Sequence, residues 1–203
     1  MFGAGVGRGC NGDRDGVRAL PRSHVSFDWS FQLLRASEIR QPKVPRAPGV
    51  YLLLARGGDR LLGLAGYFDR SAEVPACWGE YVHLYTGKAW DLRSRLRQHV
   101  DGDCYSSSFR RTLTALEVNF EALSLSGSHV VGVGRDEDAL SKWLAETCLV
   151  AFAVAAKPTE VETEILRSTP SPLNINGRRS QAFQKRLLRL HRTTFDCRRR
   201  TSS

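Results

Sequence analysis

Residues Glu80 to Val100 read EYVHLYTGKAWDLRSRLRQHV, and the fold turns on how this stretch divides. Tyr81, Val82, His83, Leu84, Tyr85 and Thr86 are almost all β-branched or aromatic, which predicts a strand, with Gly87 ending the run. Leu92, Leu96 and Val100 then recur at a helical interval, Asp91 stands ahead of them as a capping residue, and arginines fill the gaps. A strand that passes through a glycine into a basic helix sets cations beside a sheet edge.

Outward from this stretch, Gly49-Val50-Tyr51-Leu52-Leu53-Leu54 is a short apolar run after Pro48 and predicts a buried strand. Residues 56–79 are rich in glycine and read as a long loop insertion with room for one hairpin. Residues 26–47 form an extended lead-in shaped by Pro42 and Pro45, and residues 1–25 a Gly- and Arg-rich arm without periodicity, expected to be disordered. Downstream, Phe109, Leu113 and Leu116 mark one helix, and Leu140, Trp143 and Leu144 a second behind an acidic first turn. Cys148 to Ala156 is almost wholly apolar and suits a central strand. A helix starts at Pro158 and stops before Pro170, and a last helix carries Phe183, Leu187 and Leu190, followed by a flexible tail over 194–203.

Charge bounds the partner. Thirty Lys and Arg against 21 acidic residues leave +9, and only five of the cations are lysine. A guanidinium fork matches phosphate, so nucleic acid leads as the partner, although a GC-rich genome also enriches arginine. The five cysteines form no CxxC pair, so neither a zinc site nor a disulfide framework is expected, and a reducing cytoplasm fits. No stretch approaches the roughly 20 apolar residues of a membrane span, so no membrane partner is expected.

Two polar residues sit where helical geometry wants apolar ones. With Leu92 at zero, Arg95 falls at about 300° and His99 at about 340°, bordering the core stripe, while Arg93 and Arg97 point to solvent. With Val161 at zero, Glu162 falls near 100°, between Ile165 at about 40° and Leu166 at about 140°. A carboxylate on an apolar face calls for a proton, a buried cation or a metal ion. A cleft holding one carboxylate, one arginine and tyrosine hydroxyls has the parts to hydrolyse a phosphodiester. A buried ion pair with an arginine accounts equally for the carboxylate.

The ordered series Gly49-Val50-Tyr51, Tyr85-Thr86-Gly87-Lys88-Ala89 and Asp91-Leu92 with Arg95 and His99 closely resembles the GIY-YIG nuclease domain. The segment SSSFRRTLTAL and a glutamate ahead of PLNI resemble bacterial stand-alone members, over about 48–191. Two departures stand out: threonine replaces isoleucine in the second motif, and the two motifs lie further apart than is usual in the family, the excess falling in 56–79.

The resemblance implies a small α/β (α+β) domain over 48–193, with a three-stranded, mainly antiparallel sheet flanked by helices. It implies a DNA endonuclease using Mg²⁺ or Mn²⁺. Glu162 matches the carboxylate that holds the metal, with Asn174 supporting the site. Arg95 and His99 match residues that meet the scissile phosphate. Tyr51 and Tyr85 match the tyrosines of which one or both position or deprotonate the attacking water. Lys88 matches a lysine that lowers a tyrosine's pKa, and Gly87 lets the chain turn beside the phosphate. Arg110, Arg111 and the last-helix cations Arg178, Arg179, Lys185 and Arg186 are expected to track the DNA backbone. The rival reading is a nucleic-acid-binding module of the same fold without catalysis, and a third is a basic partner-binding domain.

Overall fold

The computed structural model describes residues 30–67, 75–116, 137–175 and 182–200. Among these, five strands form one sheet: β1 (Gln32–Arg35), β2 (Gly49–Arg56), β3 (Cys77–Trp78), β4 (Tyr81–Ala89) and β5 (Cys148–Val154), in the order β1-β5-β2-β4-β3. Every neighbouring pair is antiparallel. Six helices accompany it: α1 (Gly58–Leu64), α2 (Leu92–Val100), α3 (Ser108–Ala115), α4 (Glu137–Thr147), α5 (Pro158–Ser168) and α6 (Ala182–Arg200).

The sheet is covered on both faces, which explains the unbroken apolar run of β2. Seven of its eight residues are buried, so it does not alternate as a half-exposed strand would. Tyr51 and Leu53 join a large core with Leu96 of α2, Phe109 of α3, Trp143 of α4 and Phe183 of α6. Val50, Leu52 and Leu54 face the other way, onto Val161 and Ile165 of α5. Burying each such aliphatic side chain contributes about 2 kcal/mol.

The architecture corrects several expectations. The sheet has five strands rather than three, because β1 and β3 are too short to show a period and exist only through their pairing with β5 and β4. Residues of the expected lead-in thus supply an edge strand. Within the expected 56–79 loop, Gly58–Leu64 is helical, its Leu61 and Leu62 fully buried in the core, and Cys77–Trp78 forms the expected hairpin with β4. Gly87 does not end β4, which continues to Ala89. The last helix runs on to Arg200, through most of the expected loose tail. The arm over 1–25 lies outside the described residues.

Capping and bulging aim the site. Asp91 Oδ1 accepts the Ser94 amide at 3.0 Å, which starts α2 beside the end of β4. Register slips between Leu53 and Leu54, so that Tyr85 pairs with Leu53 but His83 with Leu54. The extra residue on β4 is Leu84, and this bulge sets Tyr85 and Gly87 on the same face as Tyr51.

Candidate active site

Strand β3 pairs only with Tyr81 and Val82, so the second half of β4 would be an open edge. The loop after α5 covers it. The Leu173 amide donates to the Leu84 carbonyl at 2.9 Å. Asn174 Oδ1 accepts the Thr86 amide at 2.8 Å, and its Nδ2 donates to the Thr86 carbonyl at 2.7 Å. The side-chain amide of Asn174 therefore replaces a neighbouring strand at one residue. Thr86 is held on its other end as well: its hydroxyl lies 2.8 Å from Ser171 Oγ and 3.0 Å from His83 Nε2. This network locks the strand end to the loop that follows the Glu162 helix.

Tyr51 crosses from β2 over Gly87. A Cβ on Gly87 would lie 2.3 Å from the Tyr51 hydroxyl, so the glycine is there for space, not for a turn. The Tyr51 hydroxyl lies 2.6 Å from His99 Nε2, and His99 Nδ1 lies 2.6 Å from Ser107 Oγ. Ser107 caps α3 by accepting the Arg110 amide at 3.0 Å. Both hydroxyls can donate or accept, and the tautomer with its proton on Nδ1 leaves Nε2 to accept from Tyr51. Both side chains are 1% exposed. Burial, then the charge of Arg95 and Arg110, holds the His99 pKa well below its usual value. Burial likewise raises the Tyr51 phenol. Both ring nitrogens of His99 are thus engaged, one with Tyr51 and the other with Ser107.

Arg95 lies along the same cluster. Its Nε is 3.4 Å from the Tyr51 hydroxyl, and its guanidinium donates to Gln98 Oε1 at 3.0 Å, to the Ser106 carbonyl at 3.1 Å and to Ser108 Oγ at 3.2 Å. Ser108 also lies 2.9 Å from the Tyr85 hydroxyl, so it joins the arginine to the second tyrosine. Burial raises the Tyr85 phenol, against the opposing pull of Ser108 and Arg95. Sequence reasoning missed Ser107, Ser108 and Gln98. The SSSF segment was the available signal, but nothing in it says which hydroxyl meets which partner.

A cleft of about 650 Å³ opens beside these groups, lined by Tyr85 and Lys88 of β4, Ser108 and Arg111 of α3, Glu162 of α5, Asn174, and His191 of α6. Lys88 Nζ lies 2.6 Å from Glu162 Oε2 across it. The Glu162 side chain keeps 17% of its surface exposed, so the carboxylate borders the apolar face of α5 and looks into the cleft. The sequence thus identified the carboxylate's position, but its cation is Lys88 and not an arginine. Tyr51 lies behind Tyr85, outside the cleft lining.

The expected DNA-contacting cations divide. Arg110 is 0% exposed. It pairs with Glu137 and donates to the Val100 carbonyl at 3.1 Å and to Ser141 Oγ at 2.9 Å, tying α2, α3 and α4 together. It is a structural arginine and offers nothing to a backbone phosphate. Arg186 donates to the Ala65 carbonyl after α1. Arg111 donates to the Cys104 and Tyr105 carbonyls and lines the cleft. Lys185 is exposed, and Arg178 and Arg179 lie outside the described residues. Arg97 is exposed as expected and donates to the Arg40 carbonyl at 3.0 Å, whereas Arg93 is half-buried and donates to the Val44 carbonyl at 2.6 Å.

Among the described residues no group of three or more His, Cys, Asp and Glu comes together. A lone carboxylate in an open cleft suits a hard, hydrated ion, because magnesium takes one or two carboxylates and completes its shell with water and substrate phosphate. It does not suit zinc, which wants several nitrogen or sulfur ligands. Glu162 is the residue that could hold such an ion.

The fold is a mixed, antiparallel α+β domain whose site gathers phenols, a guanidinium and a carboxylate around one cleft. A family model described as the GIY-YIG catalytic domain matches residues 70–193, more than half of the chain, and the chain belongs to that family, known for endonucleases acting on DNA. The match starts after β2, so the Tyr51 strand lies before it. No curated protein and no solved structure matches the chain. Among the described residues no helix is long and apolar enough to cross a membrane.

Proposed function

We propose that the chain is a divalent-metal-dependent endonuclease that hydrolyses DNA phosphodiester bonds with Tyr51, Tyr85, Arg95, His99 and Glu162. The observation that carries this reading is that Tyr85 and Glu162, remote in sequence, line one cleft, with Arg95 joined to Tyr85 through Ser108. Glu162 would hold one Mg²⁺ or Mn²⁺, whose chemistry is Lewis-acid stabilisation of charge on the leaving 3′ oxygen.

The protein's own groups do the rest. Tyr85 is the phenol on the cleft and orients the attacking water. Tyr51 stands behind it and shares its proton with His99 Nε2, while Ser107 holds His99 in the tautomer that can accept it. Arg95, kept in place by Gln98 and Ser106, meets the charge that develops on the phosphate. Lys88 pairs with the Glu162 carboxylate in the free protein and holds it at the cleft. Asn174 acts through Thr86 by holding the end of β4. Arg111 and Lys185 supply backbone attraction without reading sequence.

The test is nicking of supercoiled plasmid by the purified full chain with Mg²⁺ or Mn²⁺. Glu162→Ala should abolish nicking and leave DNA binding largely intact. Equal activity in the two proteins would remove Glu162 from the mechanism, and binding without cleavage of duplex, branched and single-stranded DNA would favour the binding-module reading.

A further inference from the structure

We propose that the outer face of α6 carries the phosphate backbone of duplex DNA on one side of the cleft, with Lys185, Arg189 and Arg192 as its contacts. The inference rests on the reading of the cleft as the place where the scissile phosphate docks. With the buried Leu187 at zero on α6, Lys185 falls at about 160°, Arg189 at about 200° and Arg192 at about 140°. All three are exposed, and together they form one stripe about 10 Å long. On the same helix Leu188, at about 100°, and His191, at about 40°, line the cleft. The stripe therefore starts where the cleft wall ends. The backbone leading away from a phosphate at Tyr85 and Glu162 can run onto it.

The stripe has no task inside the fold. Over residues 182–193 the helix holds Lys185, Arg186, Arg189 and Arg192 and no carboxylate. Arg186 is taken by the Ala65 carbonyl, whereas among the described residues Lys185, Arg189 and Arg192 have no hydrogen-bond or ion-pair partner. Like charges three and four residues apart on a helix repel, so the stripe works against the helix until an anion meets it. Its length matches about three phosphates, since each strand of a duplex carries one charge per roughly 3.4 Å of axis. The other wall makes the contact one-sided. On α5 the exposed charges beyond the cleft lining are Glu160, 3.0 Å from Lys157, and Glu164. Carboxylates there turn a phosphate backbone away, so the duplex is held along α6 and not along α5.

The experiment follows binding of a random-sequence duplex by the full-length Glu162→Gln protein across a salt series, so that affinity is read without cleavage. Adding Arg189→Gln and Arg192→Gln should lower the slope of log affinity against log salt by about 2 and weaken binding at least about ten-fold at physiological salt. In the chain that retains Glu162, the same two changes should raise KM and spare kcat, because the stripe holds backbone away from the reacting phosphate. Glu164→Lys on α5 should leave the slope unchanged. Where the double variant fails to fold, Arg189→Gln alone should lower the slope by about 1. An unaltered slope in the folded variant overturns the inference, and nicking by the wild type would then leave hydrolysis standing. A slope raised by Glu164→Lys overturns the one-sided contact. A lowered slope for a chain whose wild type nicks nothing supports the α6 surface and sinks the hydrolytic reading instead.

Discussion

The Tyr51 hydroxyl and His99 Nε2 lie 2.6 Å apart with both side chains almost wholly buried, one on β2 and the other on α2. Replacing His99 by Phe keeps an aromatic ring, somewhat larger than imidazole, and removes the acceptor. The orphaned hydroxyl should cost about 1–3 kcal/mol in stability. Turnover should fall by about 100-fold, the lower range for lost proton-transfer assistance. Thermal melting and single-turnover nicking measure the two effects separately, and unchanged turnover would show that Tyr51 needs no proton acceptor.

Gly87→Ala should be disproportionately harmful for one added methyl. Its Cβ would stand 2.3 Å from the Tyr51 hydroxyl and 2.4 Å from Cζ, so Tyr51 must shift and leave His99. Overpacking of this kind costs about 1–3 kcal/mol. A melting curve identical to wild type would mean that Tyr51 has room to move.

Lys88→Met should change metal dependence more than stability. The ammonium neutralises Glu162 at 2.6 Å, and Lys88 is exposed enough for water to replace it. Without it, the carboxylate should bind Mn²⁺ more tightly in a titration, while turnover drops. Weaker Mn²⁺ binding by the variant would show that Lys88 orders the carboxylate and does not compete for it.

Arginines that look alike in the sequence should separate cleanly. Arg110→Ala removes the ties to Glu137, Val100 and Ser141, and should cost about 2–4 kcal/mol. Lys185→Ala should leave the melting point alone and lower the slope of log affinity against log salt by about 1. A changed salt slope for folded Arg110→Ala would mean that Arg110 reaches DNA after all.

Acid should unfold the protein through its histidines. His83, lowered to about 4 by burial, and His99, held well below its usual value, stay neutral when folded but take a proton near 6.5 when unfolded. The unfolded chain binds more protons in that window, so stability is full above about pH 6.5 and is lost as pH falls towards 4. For His83 alone the loss reaches about 3 kcal/mol. Denaturant melts at pH 7.5, 6 and 5 that coincide would exclude this linkage.

The sequence by itself determined which local structures form and which side chains stand out of pattern. The periods of the Glu80–Val100 stretch set a strand and a helix, Asp91 capped the helix as expected, and helical geometry marked Glu162 as a carboxylate on an apolar face. These are legible because strand and helix periods, caps and faces depend on neighbours a few residues away. The tertiary structure decided the rest. Only folding reveals that β1 and β3 complete the sheet, because such short strands have no period and are defined by their partners. It also decides which cation meets which group. Arg110 and Arg111 are adjacent in sequence, yet one is sealed between three helices and the other lines the cleft. Lys88 finds Glu162 across 74 residues, and Asn174 finds Thr86 across 88, because the end of α5 and its loop lie along the open edge of β4. Charge and spacing carry no record of such contacts, which arise from how a sheet edge is closed.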